Sequence, residues 1–291
     1  MARFGWIAAV IFLLPASMAA APAEVGYDEQ VAKWRQQFDA DLIAEGWLVL
    51  VGREKVPEGT SSLGSSPNSN ILLPSAAPKR VGQLIRRGAA FEFSPAAGAH
   101  VSIDGRPATT EVVVSTEQGK GKIEVESLSL AVRQIAGDYY LSIEDANSPA
   151  IAAFRGTAWF PIDPIYRVPA RFLPYDKPQE IVLALTFESA SKTFASTGAV
   201  EFHLNGRLLK LQSFVEGEEL FLIFQDETNG AETYGGGRYL LAPLPKDGLT
   251  TLDFNKAFNP YCAVNPYVIC AVTPSQNRLP VRISAGARFS N

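Results

Sequence analysis

Short stretches rich in β-branched and aromatic residues, separated by turn signals, are the feature that most limits how this chain can fold. The clearest example is the pair of stretches 200–204 and 207–211, which flank Asn205 and Gly206. An Asn-Gly dipeptide favours a two-residue hairpin, because both central residues of a type I′ turn need positive φ. Similar stretches recur along the chain, at 47–51, 99–103, 111–114, 123–134, 139–143, 181–187, 220–224 and 239–241. Many short strands with turns between them predict β-sandwiches or open barrels.

One amphipathic helix is predicted ahead of these strands. Its apolar side chains recur at steps of three and four residues, and Gly46 ends the pattern. The apolar stripe consists of Val31, Trp34, Phe38 and Leu42. A stripe of this kind favours packing against a sheet, and a helix that binds a partner protein is the alternative interpretation.

The overall prediction is a mainly β protein with two β-sandwich or open-barrel-like units and one N-terminal amphipathic helix. We place the first unit, helix included, at 24–148 and the second at 149–291, with a boundary near Ser148 and Pro149. Regular patterning stops after Asp253, and four prolines follow at Pro260, Pro266, Pro274 and Pro280. The second unit is therefore expected to end in a long irregular tail.

Residues 1–19 have the pattern of a secretory signal peptide. Arg3 supplies positive charge, residues 6–14 form a short apolar core, and small residues precede a cleavage point after Ala19. Ala23 is the second candidate for cleavage. The apolar core is about half the length that a bilayer-spanning helix needs, and an uncleaved membrane anchor is the alternative. We expect an exported protein, periplasmic or secreted, with no membrane span after cleavage.

The charge and the small number of metal-binding side chains argue against several functions. The formal net charge is −4 at pH 7 and the isoelectric point is about 5.4. Nucleic acid is not an expected partner, because binding phosphates needs a basic stripe. The chain has two His and two Cys residues. We predict neither a metal nor a cofactor, since a metal site of the usual kind needs more such ligands.

Cys262 and Cys270 are predicted to form a disulfide. The export signal would place them in a compartment where disulfides persist, and they are the two thiols of the chain. Pro266 lies between them and favours a chain reversal that could bring their Cα atoms within bridging distance. Buried thiols or a pair of metal ligands are the alternatives.

A set of polar side chains lies at the ends of the strand-like stretches in the second unit. It consists of Asp226, Tyr234, Arg238, Asp253, Asn255 and Asn259, with Glu232 beside them. Because side chains at strand ends can converge on one rim, we expect Asp226, Arg238 and Asp253 to meet. Such a set could bind a polar ligand, perform acid–base chemistry if burial separated the carboxyl pKa values, or satisfy backbone groups of long loops. All three interpretations stay open.

Several short motifs follow one another along the mature chain. They are Gly46-Trp47-Leu48 with Gly59, Gly64, Asn68 and Leu73-Pro74; Phe154-Arg155-Gly156 with Trp159-Phe160-Pro161; Asp226-Glu227-Thr228, Thr233-Tyr234 and Gly237-Arg238-Tyr239; and Asp253-Phe254-Asn255, Asn259-Pro260, Cys262, Cys270 and Asn277-Arg278-Leu279. Together they resemble an uncharacterised bacterial family known as domain of unknown function 1684. The resemblance implies no activity. Its members tend to carry Glu after an Ala-Gly pair near the end of this region, whereas here Ala287 follows Gly286.

Two stretches of the first unit, 64–73 and 101–105, combine turn residues with short strands. This alternation of turns and short strands resembles a forkhead-associated β-sandwich. The Arg that binds phosphothreonine in such domains is expected near Leu63 and Gly64, and neither it nor a Ser-Arg-His-like stretch is present. Without that charged bidentate donor, the resemblance implies a fold and not phosphopeptide recognition.

The favoured interpretation is an exported β-rich binding or structural protein that contacts a small polar ligand or a protein partner. The alternative is a hydrolase-like enzyme that uses the carboxylates of Asp226 and Asp253. An enzyme needs both carboxylates within reach of one substrate in a cleft. A binding protein needs instead an apolar or aromatic pocket with a few polar anchors.

Overall fold

The fold is mainly β, with three sheets and few helices. The computed structural model describes residues 26–117, 119–187 and 190–289, so the predicted signal peptide lies outside the described residues. Helix α1 (Tyr27–Ala44) comes first and confirms the predicted N-terminal helix. Within the described ranges, no helix is both long and apolar enough to cross a membrane.

The N-terminal unit is a sandwich of two sheets. Its strands are β1 (Leu50–Lys55), β2 (Gly59–Gly64), β3 (Ile71–Leu72), β4 (Gly82–Arg87), β5 (Ala90–Pro95), β6 (Ser102–Ile103), β7 (Arg106–Pro107), β8 (Val112–Val114), β9 (Ile123–Val125), β10 (Leu128–Ile135) and β11 (Asp138–Asp145). One sheet has the order β1-β11-β10-β9-β6-β7 and the other the order β3-β2-β4-β5-β8. Leu84 and Phe93 from one sheet share a buried core with Leu130 and Leu141 from the other. The predicted sandwich is therefore confirmed.

The C-terminal unit is built on one curled sheet. After helix α2 (Pro149–Ala153) and a 3-10 turn (Pro164–Tyr166) come β12 (Arg167–Ala184), β13 (Ser191–Leu204), β14 (Arg207–Glu216), β15 (Glu219–Phe224), β16 (Arg238–Pro243) and β17 (Leu249–Asp253). The strand order is β16-β15-β14-β13-β12-β17. Its two edge strands, β16 and β17, come close together. The Thr250 hydroxyl of β17 donates to the carbonyl of Pro243 in β16 at 2.7 Å. The sheet thus nearly closes into a barrel.

The predicted Asn-Gly hairpin joins β13 and β14. Asn205 and Gly206 have φ values of 52° and 73°, and Leu204 pairs with Arg207 across the turn. This left-handed conformation is costly for most side chains, which explains why Asn and Gly occupy these positions.

The tail after β17 is irregular, as predicted, yet it belongs to the core of the barrel. Its described part contains short 3-10 turns at Phe254–Lys256, Tyr261–Ala263 and Ser275–Asn277. Leu279, Val281 and Ile283 point inwards and join the buried cluster of the barrel strands. The side-chain amide of Asn277 donates to the carbonyl of Ile223 at 2.8 Å. The tail therefore supplies side chains that fill the barrel.

Helix α1 packs against the C-terminal unit, although it precedes the N-terminal unit in the chain. The Arg35 guanidinium donates to the carbonyls of Asn255 at 3.0 Å and Phe160 at 2.9 Å. On the same helix, the Asp39 carboxylate accepts a hydrogen bond of 2.6 Å from the Thr157 hydroxyl. These contacts bind the helix to the segments before β12 and after β17.

Candidate functional site

Asp226 and Arg238 form a buried ion pair. Asp226 follows β15, Arg238 begins β16, and the guanidinium lies 2.5 Å from the carboxylate. Arg238 is fully buried and also donates to the carbonyls of Ile283 and Ala285. Burial lowers the pKa of Arg238, and the Asp226 carboxylate opposes that shift. Asp226 also accepts from the N–H and hydroxyl of Thr228. Arg238 thus connects β16 to the tail, and the Asp226 carboxylate lies against its buried charge.

Asp253 and Asn255 belong to a separate network that holds the start of α1. The Tyr27 hydroxyl donates to the Asp253 carboxylate at 2.8 Å and accepts from the Asn255 amide at 2.9 Å. The Asn255 side chain also exchanges two hydrogen bonds with the backbone of Asp163. Burial raises the pKa of Tyr27, and the hydrogen bond to Asp253 raises it further. The three side chains predicted to meet on one rim therefore divide between this network and the buried ion pair.

Cys262 and Cys270 are both free thiols, so the predicted disulfide is not formed in the structure. The 3-10 turn Tyr261–Ala263 brings the backbone N–H of Cys262 within 3.2 Å of Cys270 Sγ, and it donates a hydrogen bond to that sulfur. A hydrogen bond from the Cys270 thiol also lowers the pKa of Cys262 to about 7. Tyr234, another predicted binding residue, lies nearby, with its hydroxyl 3.9 Å from Cys262 Sγ.

An aromatic layer fills the space between α1 and the C-terminal unit. Trp34 and Phe38 stack on each other with ring centroids 5.6 Å apart. Phe38 also packs against Phe258 at 5.1 Å and against the edge of Trp159 at 5.8 Å. The predicted packing of the helical stripe against a sheet-based core is confirmed. The partner is the second unit, which the spacing of the stripe could not identify.

A cleft of about 250 Å³ lies on one flank of α1, and we call it the basic cleft. Its apolar wall consists of Phe38, Leu42, Ala153, Phe154, Ala158, Val264 and Phe289. Its polar side chains are Arg155, Thr157, Asn259 and Arg288. Both arginines are exposed, and neither forms an ion pair with any residue that the structure describes.

Asn259, a predicted binding residue, contributes a buried acceptor to this cleft. Its side chain is 7% exposed, and Nδ2 donates to the carbonyl of Arg288 at 3.0 Å. Its Oδ1 atom has no hydrogen-bond partner within the described part of the chain. Leaving a buried acceptor unsatisfied costs about 1–3 kcal/mol. A ligand that donated a hydrogen bond here would recover part of that cost.

A second cleft, of about 170 Å³, lies on the other flank of α1, and we call it the acidic cleft. Its walls are Trp34, Phe38, Leu42, Leu241, Phe258 and Tyr261. Its polar side chains are Gln37, Asp41 and Glu45, all from α1 or the residue after it. The two clefts therefore share Phe38 and Leu42 but carry opposite charge.

A larger cleft, of about 500 Å³, lies on the N-terminal sandwich. Its polar lining includes Ser62, Ser66, Asn68, Lys79, Arg80, Gln83 and Ser94. Gly64, the last residue of β2, lets the strand approach the backbone at Lys79, since a Cβ there would lie 2.2 Å from the carbonyl oxygen of Lys79. This cleft has few large apolar side chains, so it is a weaker match to a small-molecule pocket than the basic cleft.

Sequence reasoning missed the polar residues that dock α1. These residues are Tyr27, Arg35 and Asp39 of α1, which are spaced by multiples of four. Because of this spacing they lie along one side of the helix, next to the apolar stripe. That spacing was a usable signal for a polar contact. The two arginines of the basic cleft had no such signal, because they are 133 positions apart in the chain, at Arg155 and Arg288.

Ala287, where the resembling family tends to carry Glu, is fully buried. Its N–H donates to the carbonyl of Ala257 at 2.7 Å, and it pairs with Trp159 in an isolated bridge. The position lies in the packed part of the tail and outside the linings of the three clefts.

The sequence matches the family model described as protein of unknown function (DUF1684) over residues 152–288. A solved structure, the uncharacterised protein from gene locus rrnAC0354 of Haloarcula marismortui, is 32% identical, covers 48% of this chain and 79% of its own, and has a TM-score of 0.41. The FhaA FHA domain complexed with the intracellular domain of Rv3910 is 12% identical, with coverages of 30% and 84% and a TM-score of 0.23. An FHA domain from a study of phosphothreonine-dependent interactions is 12% identical, with coverages of 31% and 79% and a TM-score of 0.22. No curated protein matches. Through residues 152–288, the chain belongs to the DUF1684 family of proteins of unknown function.

Proposed function

We propose that this protein binds a small organic acid in the basic cleft, and that the acid has an apolar body and a hydrogen-bond donor. The observation that carries the proposal is the unpaired, buried Oδ1 of Asn259 in a cleft that also holds two exposed arginines. The described part of the chain supplies neither an ion-pair partner for the arginines nor a donor for Asn259 Oδ1. One ligand with a carboxylate and a hydroxyl would supply both.

The charge of the cleft favours an anion. Arg155 uses one guanidinium nitrogen for the carbonyls of Ala152 and Phe154, at 2.6 and 3.1 Å. The Arg288 guanidinium lies over the ring of Phe160, 5.3 Å from its centroid. Both side chains are thus held in place with further N–H donors available. A guanidinium with free donors is well suited to bind a carboxylate by two parallel hydrogen bonds.

The apolar wall favours a ligand with an aromatic or branched aliphatic body. Phe154 and Phe289 are half-buried, and Leu42 is buried behind them. Small-molecule sites are commonly concave, mostly apolar and supplied with a few polar groups that fix orientation. The basic cleft has this composition at a size that suits a molecule with a single ring.

The two carboxylates of the hydrolase alternative have other partners. Asp226 is engaged by Arg238 and Thr228, and Asp253 by Tyr27. Neither carboxylate lines the basic cleft. This arrangement supports a binding role over catalysis by that pair of residues.

We further propose that the protein is exported and acts in the periplasm or outside the cell. The support is the order of positive charge, apolar core and small residues in 1–19. N-terminal sequencing of protein from the periplasmic fraction should begin at Ala20, or at Glu24 if the second site is used. An intact Met1 in that fraction would contradict cleavage, and absence of the protein from both the periplasmic and the extracellular fractions would contradict export.

The binding proposal is tested by calorimetric titration with three related probes. The probe 4-hydroxybenzoate has the charge, the ring and the donor; methyl 4-hydroxybenzoate lacks the charge, and benzoate lacks the hydroxyl. We expect 4-hydroxybenzoate to bind best and each of the others about tenfold more weakly, which corresponds to the loss of one good polar contact.

Arg288→Gln is the variant that tests the site, and Arg171→Gln is its matched control. Arg171 is also exposed, but it pairs with Glu201 on the barrel surface, away from the cleft. Weaker binding of 4-hydroxybenzoate by Arg288→Gln alone would support the proposal. Equal affinities of the two variants, or equal affinities for all three probes, would overturn it.

A further inference from the structure

We propose that the acidic cleft is a second binding site, and that it takes a small quaternary ammonium compound. The acidic cleft differs from the basic cleft in its polar residues and in its charge. Its proposed ligand can therefore be tested independently of the function proposed above. The cleft lies between α1 and the aromatic residues after β17, and its polar side chains come from the C-terminal half of the helix and the residue after it.

Aromatic rings that pack against one another form much of the lining of the acidic cleft. Phe38 and Phe258 have ring centroids 5.1 Å apart, and Phe258 and Tyr261 stack at 6.2 Å. Trp34 is 6.5 Å from Phe258 and completes the group. The faces of such rings carry negative charge density, and they attract cations that lose little hydration on entry. Quaternary ammonium groups have that property, because they donate no hydrogen bonds to water.

Two carboxylates give the acidic cleft a negative charge. Asp41 and Glu45 are four residues apart, so they lie on the same side of the helix. Asp41 accepts from Gln37 at 2.7 Å, and Glu45 accepts from the indole N–H of Trp47 at 2.8 Å. These contacts are neutral hydrogen bonds, and neither carboxylate forms an ion pair with a described residue. The charge of both remains available to a ligand.

The electrostatic environment of Tyr261 agrees with this sign. Burial raises the pKa of Tyr261 to about 12, and the charges of Glu45, Glu216 and Asp41 contribute to the increase. A field that disfavours a tyrosinate at the wall of the cleft favours a cation at the same place. The geometry, the ring chemistry and the charge therefore point to the same class of ligand.

The size of the acidic cleft favours a small cation over a larger partner. A volume of about 170 Å³ suits a trimethylammonium group with a short substituent. A primary ammonium is a poorer fit, since it would leave its hydrogen bonds to water for rings that cannot accept them well. We therefore expect choline to bind and ethanolamine to bind more weakly.

Calorimetric titration with choline and its uncharged isostere 3,3-dimethyl-1-butanol tests the proposal. The two molecules have nearly the same shape, so a difference between them reports the charge alone. We expect the alcohol to bind about tenfold more weakly than choline. Equal affinities for the two, or no heat of binding with choline, would overturn the proposal.

The matched pair of variants is Asp41→Asn/Glu45→Gln and Asp28→Asn/Glu29→Gln. Both remove two acidic groups from the same region of the chain, but Asp28 and Glu29 lie in the first turn of α1, outside the cleft. We expect the first variant to bind choline about fivefold more weakly and the second to bind like the unaltered protein. Equal affinities of these two variants would overturn the assignment. Both variants should bind 4-hydroxybenzoate normally, which separates this test from that of the basic cleft.

Discussion

The two clefts beside α1 share the side chains of Phe38 and Leu42 and have opposite electrostatic character. The basic cleft takes its arginines from positions 155 and 288, both inside the region that matches the family. The acidic cleft takes its carboxylates from positions 41 and 45, outside that region. The region that matches the family therefore supplies both arginines, and helix α1 supplies Phe38 and Leu42 to both clefts. The same helix, with the residue after it, supplies the carboxylates of the acidic cleft.

The largest expected effect concerns the tail that carries Arg288. Asp226→Ala removes the counter-charge of Arg238, which is fully buried. An uncompensated buried guanidinium should lower the free energy of unfolding by about 3–5 kcal/mol, as measured by urea denaturation. The basic cleft should be lost with the tail.

Glu201→Ala is the control for that change, because it breaks the exposed pair between Arg171 and Glu201. Exposed pairs contribute at most about 1 kcal/mol. Similar losses of stability from Asp226→Ala and Glu201→Ala would show that the buried pair does not anchor the tail.

The aromatic layer between α1 and the C-terminal unit is tested by Trp34→Asp. Trp34 packs against Phe38 and Phe258, and the change to Asp removes both ring contacts and places a charge beside the remaining rings. We expect a loss of about 3 kcal/mol in the free energy of unfolding, measured as a lower melting temperature. Lys33→Asp, on the exposed side of the same helix, should have little effect. An unchanged melting temperature for Trp34→Asp would mean that the helix is not held by this layer.

Tyr27→Phe tests whether the start of α1 depends on Asp253. The change removes one donor to Asp253 and one acceptor from Asn255. We expect the free energy of unfolding to fall by about 1–2 kcal/mol. It should be visible as faster amide hydrogen exchange in the first turns of the helix. Tyr267→Phe, at an exposed tyrosine, is the control. Unchanged exchange rates in the helix would show that the network does not hold it.

The smallest effect is chemical and concerns Cys262, which lies beside Tyr261 of the acidic cleft. A hydrogen bond from Cys270 lowers the pKa of Cys262 to about 7. The thiolate fraction should therefore rise from pH 6 to pH 8, and alkylation by iodoacetamide should follow it with a midpoint near pH 7. The hydrogen bond with Cys262 and burial raise the pKa of Cys270, so that residue should react slowly.

Cys270→Ser distinguishes the cause of the Cys262 shift. A serine hydroxyl is shorter and less well placed for the hydrogen bond, so the alkylation midpoint should move to higher pH. Cys262→Ser should abolish the rapid labelling. An alkylation midpoint near pH 8.5 in the unaltered protein, as for an ordinary thiol, would contradict the assigned hydrogen bond.

Local features of the fold could be predicted because their causes are local. The spacing of the apolar stripe from Val31 to Leu42 predicts helix α1, and Asn205-Gly206 predicts the hairpin. Positive φ and helical periodicity depend on a few adjacent residues, so the sequence expresses them directly. The irregular tail followed in the same way from its prolines.

The polar residues at the strand ends show what local sequence patterns cannot predict. The sequence singled out Asp226, Arg238 and Asp253 as strand-end residues, and only the folded chain shows that the first two pair with each other. Pairing depends on which side chains are buried together, and burial is set by the packing of segments far apart in the chain. The same reason applies to Cys262 and Cys270, whose mutual orientation is fixed by a 3-10 turn that their spacing does not reveal.

By itself, the sequence determined the mainly β character, the amphipathic helix, the turn positions and the family of this protein. These properties depend on periodicity and on short motifs, which are visible in the order of the residues alone. Only the tertiary structure decided that α1 packs on the second unit and that the tail fills the barrel. It also brought Arg155 close to Arg288, and the helix close to Tyr261, to form two clefts. A cleft is made of residues that are near in space and distant in sequence, so its charge and shape emerge only when the chain is packed.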